Sequence, residues 1–202
     1  MKLGPKFKIC RRVGDRVFGK CEGPKFTVSG TERIRRGGKH PKGAPSEYAL
    51  QLTEKQKARF TYGLSERQFS NYVKQAKKKG GRPTTELYQK LESRVDNVIY
   101  RLGLTSSRQA ARQMVSHGHI AVNGQKIKVP SYAVKVGDRV SVRSTSKNKG
   151  PFANLSEKLA DKNTPEWLAF DPTKIEAEIK GRPIESSDGS INFVSVLEFY
   201  SR

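Results

Sequence analysis

The chain has 202 residues, 34% of them hydrophobic, with 40 Lys+Arg against 19 Asp+Glu and a formal net charge of +21. That length suits two small domains with modest cores, and the charge is far beyond what solubility requires, so a polyanionic partner is expected. Residues 1–142 hold 31 basic and 10 acidic side chains while residues 143–202 hold nine of each, which concentrates the whole excess in one region able to release counterions from phosphates. No apolar run approaches the roughly 18 residues of a membrane span, and the N-terminus lacks a signal-peptide core. The expectation is a soluble intracellular protein that binds nucleic acid and no membrane.

Residues 1–45 are rich in Lys, Arg, Gly and Pro and show little periodicity. They read as a basic arm without a core of its own, ordering against RNA through Arg11-Arg12 and Arg35-Arg36; a disordered solubilising tail is the alternative. Cys10 and Cys21 lie eleven positions apart with no second pair. His40 could add a third ligand but a fourth is missing, so metal-free thiols and no cofactor are expected.

A helical block runs over residues 46–92. Ser46 is placed as an N-cap before Glu47, and the first helix stops at Gly63. Ser65-Glu66-Arg67-Gln68 forms a capping box, after which Phe69, Tyr72, Val73 and Ala76 fall at i, i+3, i+4 and i+7 and read as core. The Lys77-Lys78-Lys79 run suits a helix C-terminus and, given the charge of the chain, a phosphate contact. From Thr84 a further helical region carries Leu91, Val95, Val98 and Leu102 on one face and Arg94, Asn97 and Arg101 on another, so that one side buries while the other meets a partner.

A helix over 107–116 places Ala110, Ala111 and Met114 on one arc and Arg108 and Arg112 on its flank. Gly118 can turn the chain out of it. Residues 120–122 and 126–129 alternate as strands about Asn123-Gly124, a pair suited to a type I′ hairpin. Residues 134–142, interrupted at Gly137-Asp138, read as another strand pair. Beyond a polar linker at 145–150, a short helix is expected at 155–162, strands at 167–170 and 175–179, and a terminal helix from the spacing of Phe193, Val196, Leu197 and Tyr200. The fold class is therefore α+β.

The chemistry of residues 93–142 is that of RNA docking, which needs cations at phosphate spacing and exposed backbone amides on a rigid platform. Arg108 and Arg112, one helical turn apart, can clamp adjacent phosphates, with Arg94 and Arg101 extending the row. His117 and His119 flank a glycine that lets backbone approach. Asn123 presents amides, and Lys126 and Lys128 project from the hairpin, so placement on shape and backbone is favoured over sequence reading. Singly, arginines at i, i+4 are usually a solvated face and Asn-Gly usually just a turn; the ordered combination carries the reading.

These residues, from Ser93-Arg94-Val95-Asp96-Asn97 through Arg108-Gln109-Ala110-Ala111-Arg112, His117-Gly118-His119-Ile120 and Val122-Asn123-Gly124, resemble the S-four RNA-binding domain. Gln51 to Lys57, Tyr62 to Phe69 and the terminal Glu198-Phe199-Tyr200-Ser201-Arg202 further resemble the bacterial-type small-subunit ribosomal protein four family, over nearly the full chain. The resemblance implies a helical domain, residues 46–92 completed by 186–202, into which an α+β domain, residues 93–185, is inserted. It implies a non-enzymatic primary binder of the 5′ domain of small-subunit rRNA that nucleates assembly, contributes to decoding accuracy through small-subunit ribosomal protein five, and in some relatives binds its own operon's messenger. Lys55 joins Lys77 and Lys78 among the implied RNA contacts. Many relatives carry a four-cysteine zinc knuckle, from which this chain departs. A bacterial cytoplasmic ribosome is expected, with an organelle-encoded equivalent as the alternative.

Arg94-Val95-Asp96 mimics the surroundings of a pseudouridine synthase nucleophile, but no separate catalytic domain surrounds it and a structural ion pair for Asp96 is the expected role. A stand-alone RNA chaperone or ribosome-rescue factor built on the same module is the other alternative, and it would need neither the basic arm nor the flanking helices.

Overall fold

The computed structural model describes residues 4–23, 26, 45–78, 80–147, 164–184 and 191–201. They fall into two compact units, one from Met1–Leu87 with Ser186–Arg202, the other from Tyr88–Glu185. The helix expected at 155–162 lies outside the described residues.

In the first unit, α1 (Lys6–Val13) ends on Gly14, whose φ of 75° lets its N–H return to the Cys10 carbonyl at 2.9 Å. A single 3-10 turn follows at Gly19–Cys21. Cys10, Cys21 and Phe26 are buried together, with Phe7, Val17 and Phe18 packed around them. This corrects the expectation of a coreless arm over these residues: the cysteines act as small apolar side chains, and the inward set Ile9, Cys10 and Val13 is interleaved with basic residues that mask its period.

α2 (Glu47–Thr61) starts at Ser46, whose hydroxyl accepts from the Ala49 N–H. α3 (Glu66–Lys78) starts with a reciprocal box in which Gln68 N–H donates to Ser65 Oγ and Ser65 N–H to Gln68 Oε1, both at 3.3 Å. Phe69, Val73 and Ala76 are buried. α4 (Pro83–Glu92) begins on a proline, whose missing N–H costs nothing at a first helical position.

α8 (Phe193–Phe199) packs along α2. Asn192 caps it by accepting from Val194 and Ser195 N–H, and its own N–H donates to Glu54 at 2.9 Å. The buried Lys55 ammonium lies 4.8 Å from the Phe199 ring centroid and 2.9 Å from Glu66 Oε1, and Tyr200 donates to the same Glu66 oxygen at 2.7 Å. Burial would raise the Glu66 carboxyl, but the hydrogen bonds of Tyr200 and Lys55 and the charges of Lys55 and Arg59 outweigh it and hold it below its ordinary value. Burial and then Glu66 push the Tyr200 phenol up.

The second unit sets α5 (Val95–Arg101) and α6 (Arg108–Ser116) with an antiparallel sheet of order β2-β1-β3-β5-β4. The strands are β1 (Ile120–Val122), β2 (Gln125–Ile127), β3 (Arg139–Val142), β4 (Leu168–Asp171) and β5 (Glu176–Ile179), and the one-turn α7 (Ser144–Lys147) follows β3. Asn123 and Gly124 both have positive φ, 51° and 79°, the backbone of the expected hairpin turn. Val98, Ile99, Leu102, Ala111 and Val115 from the helices meet Ile120, Val122, Val140, Val142, Ala177 and Ile179 from the sheet in one core.

Two expectations change. The apolar series Leu91, Val95, Val98 and Leu102 spans two helices, because Arg94 is extended (φ −68°, ψ 135°) and bridges to Ala133. Residues 134–142 do not form a strand pair. Val134 N–H donates instead to the Ser93 carbonyl at 2.9 Å, Tyr132 O accepts from Val95 N–H at 2.8 Å, and Gly137 at φ 90° sends its N–H to Ile179 O. The segment before β3 thus satisfies open amides at the start of α5.

Leu102 is 1% exposed in this core, so Leu102→Ala is expected to cost about 2–5 kcal/mol, read as a lower denaturant midpoint; an unchanged midpoint would contradict its burial. Because the Glu66 carboxyl is depressed in the folded state, its contribution is present at neutral pH and lost as pH falls through its folded value. Glu66→Gln should therefore lower the melting temperature at pH 7 and do so much less at pH 3, where an equal deficit would show that the carboxylate charge is irrelevant.

Candidate RNA-binding surface

The arginines expected to face a partner are gathered around two acidic side chains. Arg94 is 3% exposed and reaches Asp96 with Nε to Oδ1 at 3.0 Å and Nη2 to Oδ2 at 2.7 Å. Arg112 comes from α6 to the same carboxylate, Nε and Nη2 lying 3.1 and 3.0 Å from Oδ2. Glu92, at the end of α4, has no exposed surface. Its oxygens accept from Arg101 Nη2 at 2.8 Å and Nε at 2.9 Å, and from Asn97 Nδ2 at 2.8 Å. Asn97 Oδ1 in turn accepts from Arg108 Nε at 2.7 Å, and the Arg108 guanidinium lies 4.3 Å from the Tyr100 ring centroid.

Local structure explains the convergence. The break at Ser93–Arg94 starts α5 so that Asp96 and Asn97 fall in its buried first turn. α6 is capped at Ser107, which accepts from Ala110 N–H at 3.2 Å, so Arg108 and Arg112 lie one turn apart on a flank facing α5. Rather than both projecting outward as a bare clamp, they are held from behind. Arg112 keeps 25% of its side chain exposed and Arg101 36%, whereas Arg94 keeps 4%.

At the hairpin, Asn123 uses its side chain internally, Nδ2 donating to Asp138 and Oδ1 accepting from Arg139 N–H, both at 2.8 Å. Lys126 and Lys128 are exposed. The Lys126 stem crosses Gly118, whose φ of 74° and missing Cβ make room for it. His117 is exposed; the half-buried His119 shares a 3.0 Å hydrogen bond, through Nδ1, with Ser146 Oγ, and the two imidazole centroids are 6.0 Å apart.

In the helical unit Arg11 and Arg12 are exposed on α1, with Arg11 5.8 Å from the Phe26 centroid. Lys78 is exposed, and Lys77 donates to Tyr200 O at 3.1 Å and Ser201 Oγ at 2.8 Å. Lys55 is 5% exposed and ion-paired. Arg35 and Arg36 lie outside the described residues. Two expected contact residues, Arg94 and Lys55, are thereby corrected to interior ion-pair members, because each buries its charge against a carboxylate. Asn97, expected on the face that meets a partner, is instead buried, and Glu92 was not anticipated as part of the site; its spacing from Arg101 was visible, but the chain break that turns these side chains inward was not.

Cys10 and Cys21 are free and buried, and burial, with the neighbouring Cys10, pushes the Cys21 thiol up to about 11. No cluster of three or more His, Cys, Asp or Glu that could hold a metal ion occurs among the described residues. No described helix is long and apolar enough to cross a membrane.

Arginines anchored along two adjoining helices, in a unit that also carries a lysine-bearing hairpin, have the chemistry of the RNA-binding class of proteins. Comparison with known proteins gives the family. Residues 93–140 match the S4 domain and residues 2–92 the ribosomal protein S4/S9 N-terminal domain. The chain is 43% identical to small ribosomal subunit protein uS4 of Syntrophomonas wolfei, over 96% of this chain and 95% of that protein. It is 42% identical to uS4 of a Roseiflexus species, covering 98% of each, and 40% identical to uS4 of Acinetobacter baylyi, covering 99% and 98%. The chain belongs to the uS4 family of small-subunit ribosomal proteins, which are structural and not enzymatic.

Asp96 compensates the buried Arg94 and the half-buried Arg112, so Asp96→Ala takes the carboxylate from a buried guanidinium and is expected to cost about 3–5 kcal/mol. Equilibrium unfolding measures this; a loss within the ±0.5 kcal/mol typical of surface changes would mean that the pair is not formed.

Proposed function

We propose that the protein is a primary binder of small-subunit rRNA, docking on the 5′ domain, nucleating assembly of the particle and contributing to decoding accuracy through contact with small-subunit ribosomal protein five. The observation that carries the reading is the anchored arginine row of α5 and α6 beside Lys126 and Lys128, within the segment that matches the S4 domain. Fixed guanidinium planes suit a folded RNA of defined shape, because a flexible target would gain little from them. Arg101, Arg108 and Arg112 act as phosphate contacts, joined by His117, His119 and the two hairpin lysines. Asn123 shapes the turn rather than offering its amide. Arg11, Arg12, Lys77 and Lys78 are proposed contacts of the helical unit. Full-length similarity to uS4 proteins favours this over a stand-alone factor carrying only the module.

Titration of the purified chain against the 5′ domain of small-subunit rRNA and an unrelated structured RNA of equal length, at several salt concentrations, tests the proposal. Tight binding with a large preference for the rRNA that persists at high salt is expected. Equal, steeply salt-dependent binding to both would reduce the protein to a generic cationic RNA binder.

A further inference from the structure

Asn97 is 1% exposed, which bars it from touching RNA, yet it is joined to an arginine that is only partly buried. Its Nδ2 donates to Glu92 Oε2 at 2.8 Å and to the Glu92 backbone carbonyl at 3.2 Å. Since both acceptors are oxygens, the amide has one sensible orientation, with Oδ1 toward Arg108 Nε at 2.7 Å. Arg108 is thereby held by one edge through Asn97 and on one face by Tyr100. Two such constraints fix the plane of a guanidinium, whereas an arginine without them would lose rotamer entropy on meeting a phosphate. The same Glu92 carboxylate grips Arg101 by two hydrogen bonds. One buried carboxylate therefore stands behind both Arg101, directly, and Arg108, through Asn97.

We infer that Asn97, backed by Glu92, is a positioning residue that sets the direction in which Arg108 meets the RNA. This rests on the rRNA-binding reading above. Its consequence is that Asn97 affects affinity only through Arg108, a dependence that a merely structural residue would not show.

A double-mutant cycle on the full chain, with rRNA affinity as the readout, tests this. Arg108→Ala should weaken binding roughly tenfold and Asn97→Ala several-fold, with circular dichroism establishing that each variant is folded at the assay temperature. In the double variant, Asn97→Ala should add nothing to the loss from Arg108→Ala. Arg108→Lys keeps the charge without the planar fork and should lose nearly as much as Arg108→Ala; if Asn97→Ala does not fold, Arg108→Lys binding like the parent still overturns the inference. The inference is overturned if Asn97→Ala weakens binding equally with and without Arg108, if folded Asn97→Ala binds like the parent, if Arg108→Ala has no effect, or if Arg108→Lys binds like the parent. A parent chain that shows no preference for the rRNA is a separate result, which overturns the functional reading and this inference with it.

Discussion

The pairing of Glu92 and Asp96 with the arginines of α5 and α6 is the constraint on which the α+β unit depends. A chain with a net charge of +21 opposes its own compaction wherever cations converge, and here four arginines converge on two adjacent helices. Two interior carboxylates offset that repulsion where it is greatest. The Arg94 and Asp96 side chains each keep only 4% exposure, so their desolvation is recovered only through bidentate geometry and fully used oxygens. The distances of 2.7–3.1 Å around Asp96 meet that condition. The extended Arg94 is essential to it, because a continuous helix through Ser93 would carry Asp96 and Asn97 to other positions around the axis.

The helical unit solves the same problem differently. Lys55 is buried against Glu66 and the Phe199 ring, and Tyr200 closes on the same carboxylate, so a cation of α2 becomes the means of attaching the C-terminal helix. Gln51 donates to Glu47 at 2.9 Å and to Glu198 at 3.2 Å along the same seam. In both units a basic side chain that composition alone assigns to the partner is used first for folding. Net charge therefore overstates the number of cations that can be offered to RNA.

Much of the fold was legible because it is written in local chemistry. Ser46 caps α2, the Ser65–Gln68 box opens α3, Asn123-Gly124 makes the hairpin turn, and β4 and β5 pair with each other across a short connection. Each is decided within a few residues. What escaped is decided at longer range. The start of α5 depends on carbonyls of Pro130 and Tyr132, which no periodicity around Ser93 reveals. The small core of Cys10, Cys21 and Phe26 is hidden by intervening lysines and arginines. At the site, the arginine spacing was visible but its direction was not, since an i, i+4 pair reads alike whether it faces solvent or a buried carboxylate on the next helix.

Pairing and exposure divide the labour of the surface. An arginine already compensated by a buried carboxylate adds less to counterion release than a bare cation, because part of its charge is neutralised before RNA arrives. What it contributes is geometry, a guanidinium plane fixed before the encounter and therefore selective for phosphates in a particular arrangement. The exposed Lys126 and Lys128, on long flexible stems, contribute the opposite: attraction with little directional demand. In the proposed role, selectivity that persists at high salt is assigned to the anchored arginines, and the rapid, salt-sensitive part of the encounter to the lysines. On that proposal, carrying the two kinds of cation on one small unit is how a highly charged protein would discriminate among RNAs that all attract it.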